Sequence, residues 1–248
     1  MIIPAELTQC LKHSKRLAIL TGAGISAESG VPTFRDAQTG LWAQYNPTEL
    51  ATPEAFQQNP KLVWEWYAWR QQLVAKAEPN AGHLALVELE HHQPSLTIVT
   101  QNIDGLHQRA GSNRVIELHG NINRFKCATE NRILEQWEKQ TAIPPHCPYC
   151  NGLIRPDVVW FGESLPVFAL EQALQAIERS DVLLTIGTSA LVQPAATLPL
   201  KALQQGATVI EINPETTPLT PCVHFSLRGK SGDILPKLLK SVWGDTQT

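Results

Sequence analysis

The sequence predicts an α/β fold, a doubly wound parallel sheet that carries a smaller domain built from two insertions. Three observations predict it. Short apolar runs rich in β-branched residues recur as "RLAIL", "SLTIVT", "DVLLTIG" and "ATVIEIN", separated by loops and helical patterns; strands covered on both faces of a parallel sheet have this composition. A glycine turn follows the first run directly. Two segments, 36–79 and 123–157, break the alternation: the first holds four of the seven tryptophans and the second three of the five cysteines. The chain thus divides into a sheet domain of 1–35, 80–122 and 158–248 and a small domain of two insertions, one helical and one cysteine-bearing.

Composition narrows the function classes. With 43% hydrophobic and 17% charged residues the chain has an ordinary soluble composition, and a net charge of -3 offers no general attraction to nucleic acid or an anionic membrane. The start, "MIIPAELTQCLKHSKRL", has no continuous apolar stretch and is not an acid-free, arginine-rich leader. The best apolar run, "DVLLTIGTSALV", is too short to span a bilayer and is interrupted by Gly and Ser. The expectation is an unprocessed cytoplasmic protein. An odd number of cysteines with a close Cys147/Cys150 pair points to metal rather than to a disulfide framework.

Leu17 to Leu20 reads as the first strand. It feeds "TGAGISAESGVPTFRD", Thr21 to Asp36, where Gly22, Gly24 and Ala27 meet the G-x-G-x-x-G/A spacing of a Rossmann-like phosphate turn. Backbone at Gly22, Ala23 and Gly24 would approach a pyrophosphate, with amides of the next helix as donors; the same spacing also serves to pack a strand against a helix. Pro32 then breaks the helix. No acidic residue stands about twenty positions further on, where a hydride-transfer fold holds a ribose.

In the helical insertion, "TPEAFQQ" starts one helix and "NPKLVWEWYAWRQQLVAKA" another, the second through Asn59 and Pro60 at N-cap and N1. Tyr67 and Arg70 lie at i, i+3 and share a face of that helix. A guanidinium beside a phenol makes a receptor for a carboxylate; an exposed Arg and a packing Tyr fit the pattern as well.

After the run "SLTIV" comes "TQNIDGLH", Thr100 to His107, placed where open α/β sheets bind ligands. Asn102 and Asp104 suit a carboxamide, and equally an Asx turn capping the next helix. "VIELHGN" sets His119 at the end of another strand, the place for a general base or for a structural histidine. The cysteine insertion reads Cys127-x2-Glu130, sixteen intervening residues, Cys147-x2-Cys150. This is zinc-ribbon spacing with Glu130 in one ligand place. Glu130 and His146 are candidates for the fourth ligand of a structural site, and loss of the metal is the alternative.

In order, "GAGISAESGVPTFRD", "TQNID", "ELHGN", "RPDVVWFGE", "IGTS" and "EIN" resemble the motifs of the sirtuins, NAD-dependent protein lysine deacylases, from Ala18 to about Gly232. "LATPEAFQQNPKLVWEWYAWR" resembles the class III branch, which prefers acidic acyl groups. The resemblance implies that NAD is consumed, which accounts for the broken helix and the missing ribose acid. It assigns Phe34 to shield the reacting ribose carbon and Arg35 to the phosphates and nicotinamide. Gln101, Asn102, Ile103 and Asp104 fall in the nicotinamide site. Gly187, Thr188, Ser189, Asn213, Glu215 and Ser231 match adenosine contacts. His119 becomes the base that deprotonates a ribose hydroxyl. Phe161, Gly162 and Glu163, with "LVQPAA", clamp an acylated-lysine protein or peptide as an added strand. Ala51, Tyr67 and Arg70 fall in the acyl pocket. The implied products are nicotinamide, O-acyl-ADP-ribose and free lysine, from succinyl, malonyl or acetyl substrates. Mono-ADP-ribosyl transfer is the competing enzyme reading; a non-enzymatic NAD sensor is the competing binding reading.

Overall fold

The computed structural model describes residues 3–33, 43–135 and 142–244. The strands in chain order are β1 (Leu17–Thr21), β2 (Thr97–Thr100), β3 (Val115–Glu117), β4 (Gly120–Cys127), β5 (Ile133–Leu134), β6 (Ile154–Val158), β7 (Val182–Ile186), β8 (Thr208–Asn213) and β9 (Phe225–Arg228). The helices are α1 (Ala5–His13), α2 (Ala23–Ala27), α3 (Pro47–Leu50), α4 (Pro53–Gln58), α5 (Pro60–Lys76), α6 (Ala81–His92), α7 (Leu106–Ala110), α8 (Val167–Glu178), α9 (Leu198–Gln204) and α10 (Ser231–Trp243). No helix among the described residues is long and apolar enough to cross a membrane.

Six strands form one sheet in the order β3-β2-β1-β7-β8-β9, every neighbouring pair parallel. Alternate residues of β1 explain its continuous apolar run. Leu17 and Ile19 pack with α1, α6 and α10, while Ala18 and Leu20 pack with α8 and α9. Both faces are covered, so Leu17 to Leu20 are apolar on both faces of the strand. This is the doubly wound sheet of the sequence reading. Its order reverses beside β1, which has β2 on one side and β7 on the other. Connections leaving the carboxyl ends there run to opposite faces and open a crevice.

A second, antiparallel sheet has the order β5-β4-β6. Helices from the other insertion pack against it: Ala51, Phe56, Val63, Trp66 and Tyr67 share one buried cluster with Ile122, Val158 and Trp160. The helical insertion therefore packs on residues that flank the cysteine-bearing segment, Ile122 before it and Val158 and Trp160 after it. Thr52 Oγ1 accepts from the Ala55 amide and Asn59 Oδ1 from the Leu62 amide, each at 3.1 Å, with Pro53 and Pro60 at the first helical positions. Each cap satisfies an orphan amide, worth about 1 kcal/mol.

The junction between the sheets is made by Gly120. Its φ is +80°, and a Cβ there would lie 2.0 Å from the Asp157 carbonyl oxygen. Gly120→Ala is expected to destabilise the protein by at least about 2 kcal/mol, because left-handed strain and overpacking add. Denaturant unfolding measures it, and an unchanged midpoint would show that β4 and β6 part freely.

Candidate active site

The turn after β1 meets the turn after β7 backbone to backbone. The Gly22 amide donates to the Ile186 carbonyl at 3.0 Å and the Gly24 amide to the Gly187 carbonyl at 2.9 Å. A Cβ on Gly24 would lie 2.7 Å from Gly187 Cα, and one on Gly22 2.8 Å from the Gly187 oxygen. These glycines thus serve packing as well as any ligand. Their own amides are occupied, and Ala23, first residue of α2, offers the outward amide of the turn.

The loop after β2 closes on the same turn. Asn102 Nδ2 donates to the Gly22 carbonyl at 3.1 Å and to Ser26 Oγ at 3.0 Å, so its Oδ1 is the atom left for a ligand. Asp104 is buried, and its Oδ1 accepts from the Leu106 amide at 2.9 Å. The Asx turn is therefore present, and the Ser26 hydroxyl is a second hydrogen-bond partner of the carboxylate. Burial pushes the Asp104 carboxyl up, against the pull of that amide bond. Gln101 and Ile103 contribute backbone: the Gln101 amide donates to the Thr21 carbonyl at 3.0 Å, and the Ile103 carbonyl accepts from the Ile122 amide at 2.8 Å.

His119 Nδ1 lies 2.9 Å from the Gln101 carbonyl oxygen. A carbonyl only accepts, so the proton sits on Nδ1 and Nε2 carries the lone pair. Burial lowers the His119 pKa, partly offset by this hydrogen bond. Behind the loop, Thr21 Oγ1 donates to Thr100 Oγ1 at 2.8 Å and accepts from His107 Nε2 at 2.9 Å, while Thr100 Oγ1 also accepts the Asn102 amide at 3.0 Å. His107 lies tilted against His83 with centroids 5.0 Å apart, and burial pushes their pKa values down to about 3 and about 4. The network is neutral at pH 7.

On the other side of β1, the Gly187 amide donates to the Ile212 carbonyl at 3.0 Å and Asn213 Nδ2 to the Thr188 carbonyl at 2.7 Å. Asn213 Oδ1 accepts from the Glu215 amide at 3.3 Å; the Glu215 side chain is exposed and Ser189 is half-buried. Ser231 is tied back to α2 by Glu28, whose Oε1 accepts from its hydroxyl at 3.1 Å. Phe34 and Arg35 lie outside the described residues.

Tyr67 and Arg70 are both buried, Arg70 at 6% exposure. An exposed arginine is thereby ruled out for this position. Burial lowers the Arg70 pKa against the pull of Tyr67 and Asp104, which places this helix within electrostatic reach of the Asp104 loop. The Ala51 carbonyl accepts from the Phe161 amide at 2.9 Å, and the His119 carbonyl from the Val159 amide at 2.9 Å. Segment 159–161 therefore bridges the helical insertion and His119. The Phe161 ring is 42% exposed, and Gly162 turns the chain at φ +87°. Glu163 is committed elsewhere: its carboxylate takes Arg155 Nη1 at 2.6 Å and Nη2 at 2.9 Å. Its amide donates to the Trp160 carbonyl at 3.0 Å, so only its carbonyl is left for a peptide. Leu191 and Val192 of "LVQPAA" are exposed.

The thiols of Cys127, Cys147 and Cys150 lie within 4.8 Å of one another. Amides of Glu130 and Gly152 point at Cys127 Sγ and Cys150 Sγ, both at 3.4 Å, as suits thiolates on a metal. The Glu130 carboxylate is not part of the group; its Oε2 lies 3.5 Å from Arg132 Nε. His146 Nδ1 faces the Asn151 carbonyl at 2.8 Å. The two turns are copies of each other. Asn131 and Asn151 both adopt positive φ, and their amides bond the Cys127 and Cys147 carbonyls at 2.9 Å. Glu130 thus occupies the place equivalent to Cys150.

Residues 22–194 match the profile of the Sir2 family. The chain belongs to the Sir2 family. A relative named NAD-dependent protein deacylase 1, from Archaeoglobus fulgidus, is 50% identical over 239 residues, 96% of this chain and 97% of its own. A solved Sir2 homolog–NAD complex superposes with a TM-score of 0.90 at 49% identity, covering 97% of this chain and 94% of its own. A mutant Sir2 homologue bound to 2'-O-acetyl ADP ribose gives 0.89 at 49% identity, covering 97% and 96%.

Within this Sir2 chain, sequence reasoning left out Ser26, Glu28, Thr100, His83, His107 and Trp160. Ser26 and Glu28 lie inside the quoted glycine segment, and Thr100 and His107 bound the quoted "TQNIDGLH". Their position was the available signal. His83 had none, because its partner lies on another helix.

The matched turns give the metal question a test. Three thiolates suit zinc, which would contribute folding energy to the module. Elemental analysis is expected to find zinc in freshly purified protein, and chelation to unfold the module. Glu130→Cys should hold the metal against chelator concentrations that strip the parent, since it completes the thiolate set. Equal loss from both proteins would show that position 130 stays turned from the sulfurs.

Proposed function

We propose that this chain removes acyl groups from lysine side chains of proteins, consuming NAD and yielding nicotinamide, O-acyl-ADP-ribose and free lysine. The observation that carries the reading is the His119 tautomer. With Nδ1–H held by the Gln101 carbonyl, Nε2 is a neutral base beside a loop that Asn102 ties to the glycine turn. The relatives' names and bound molecules support NAD as co-substrate and an acyl-ADP-ribose product.

The residues divide the work. Ala23 and the Gly187–Ser189 turn receive the phosphates and adenosine, with Asn213, Glu215 and Ser231. Asn102 and Asp104 hold the nicotinamide carboxamide; Phe34 is assigned to the reacting ribose carbon and Arg35 to the phosphates and nicotinamide. The acyl oxygen bonds to the ribose carbon as the bond to nicotinamide breaks. His119 Nε2 takes a proton from a ribose hydroxyl, whose oxygen attacks the acyl carbon; water then releases lysine. Holding the reactants in line and sheltering them from water supplies much of the acceleration. Phe161, Gly162 and the carbonyl of Glu163 pair with the substrate peptide as an added strand. Three cysteines would hold zinc, which would supply stability and no chemistry. Nothing in the geometry favours mono-ADP-ribosyl transfer.

For the acyl group, buried Arg70 and Tyr67 form a receptor for a terminal carboxylate, with Ala51 leaving room. An arginine shielded from water gains a charge-assisted bond when the acyl group ends in a carboxylate, worth about 1.5–3 kcal/mol. Succinyl and malonyl lysine are therefore the favoured substrates, with acetyl lysine also accepted.

His119→Ala should keep NAD binding and lose roughly 10²–10⁴-fold in deacylation. In the parent, the lowered His119 pKa keeps the base neutral above its ordinary value of about 6.5. The acid limb of kcat/KM is therefore expected below that pH, with activity lost as pH falls through it. A limb at or above it would remove His119 as base.

Arg70→Met should lower desuccinylation about tenfold or more while sparing deacetylation, because an acetyl methyl has no carboxylate to lose. Kinetics on one peptide carrying each acyl group decides this. An equal fall for all acyl groups would assign Arg70 to the fold.

A further inference from the structure

The proposed carboxylate receptor has a third member behind it. Trp160 Nε1 donates to Tyr67 Oη at 2.9 Å, with both side chains fully or nearly fully buried. An indole N–H can only donate. The phenol oxygen is thus the acceptor, and the Tyr67 proton is turned away from Trp160. That proton has no acceptor among the described residues. Burial also raises the Tyr67 pKa, so the phenol keeps its proton.

Trp160 is fixed in turn from the far side. The Arg155 guanidinium lies over its ring, 3.2 Å from the centroid. Arg155 is gripped through two hydrogen bonds by Glu163, and the same carboxylate accepts the Trp160 amide at 2.8 Å. Burial opposes the charge of Glu163, but the Arg155 fork prevails and holds its carboxyl below the usual range. A cation on the indole face is attracted to its electrons and draws them toward itself. The polarised N–H is then a stronger donor. The alignment runs Glu163, Arg155, Trp160, Tyr67, and ends beside Arg70 in the acyl pocket.

We propose that Trp160 is a positioning residue for acyl selectivity: by occupying the Tyr67 oxygen from behind, it commits the Tyr67 proton to the carboxylate of an acidic acyl group held by Arg70. The inference rests on the acyl reading given above. A carboxylate takes that proton, whereas an acetyl methyl offers no acceptor. The effect of Trp160 belongs to selectivity and leaves the reacting centre alone.

The test uses Trp160→Phe, which keeps an aromatic ring under Arg155 and deletes the N–H. kcat and KM are measured with one peptide carrying succinyl or acetyl lysine. The ratio of desuccinylation to deacetylation in kcat/KM is expected to fall about tenfold, mostly through KM, as for a lost hydrogen bond to a charged group. Tyr67→Phe should lower the ratio as far, and Trp160→Phe added to it should do nothing more, because the indole then has no hydroxyl to orient. A further, additive fall would show that Trp160 acts through packing and would overturn the proposal. Arg70→Met separates the two readings. If it lowers the ratio while Trp160→Phe leaves it unchanged, the receptor stands and the role of Trp160 is refuted; if neither changes the ratio, the acyl reading itself fails. A second measurement needs no variant. In the parent protein without NAD, the Trp160 indole proton resonance should move downfield on adding succinyl peptide and stay in place with acetyl peptide, since a donating phenol is a better acceptor. An indole resonance that ignores the succinyl peptide overturns the proposal.

Discussion

The close approach of the Gly22–Gly24 turn to Gly187 is the constraint on which the site depends. It seats the ends of β1 and β7 against each other through paired amide–carbonyl bonds, leaving no room for a Cβ on either side. Everything on the rim is referred to this contact. Asn102 measures its position from the Gly22 carbonyl, Gln101 from Thr21, and Asn213 from the Thr188 carbonyl. A shift of the turn would move Asn102, Gln101 and Asn213 together, because backbone atoms set the frame.

Neutrality is the second organising feature. His83, His107 and His119 all have pKa values lowered by burial, and Asp104 has its pKa raised by the same cause. Burial of this kind keeps His119 neutral and its hydrogen bonds undiluted by water. The Thr21–Thr100–His107 chain carries no net charge, yet it orients the amide of Asn102 from beneath. Charge enters beside Tyr67 and Trp160, where Arg70 is buried and Arg155 is matched by Glu163.

The small sheet joins these halves. β4 starts one residue after His119 and runs to Cys127, so one strand connects His119 to the thiol cluster. The cluster packs with its own core of Leu134 and Ile154, apart from the cluster that contains Tyr67 and Trp160. A metal at the thiols would therefore steady the far end of β4 and touch no reacting atom.

Much was legible in the sequence because its signals are local. The strands announced themselves through residues buried on two faces, the helices of the first insertion through Thr-Pro and Asn-Pro caps, and the matched turns through Cys-x2 spacing. β9 escaped notice, since as an edge strand it alternates buried and exposed positions instead of presenting an apolar run. Glu130 read as a ligand by spacing alone, whereas the structure turns its carboxylate to Arg132. Glu163 read as a substrate contact, and its carboxylate proved to belong to Arg155. What the sequence by itself determined is the type of β1, β2, β3, β7 and β8 and of the two helices α4 and α5, with the residues that flank those strand ends, because periodicity, capping and turn chemistry are properties of neighbours along the chain. The tertiary structure alone decided which nitrogen of His119 is free, that Arg70 is buried, and that Trp160 reaches Tyr67. Those outcomes depend on hydrogen bonds and burial between segments far apart in sequence, and no local pattern encodes the partner.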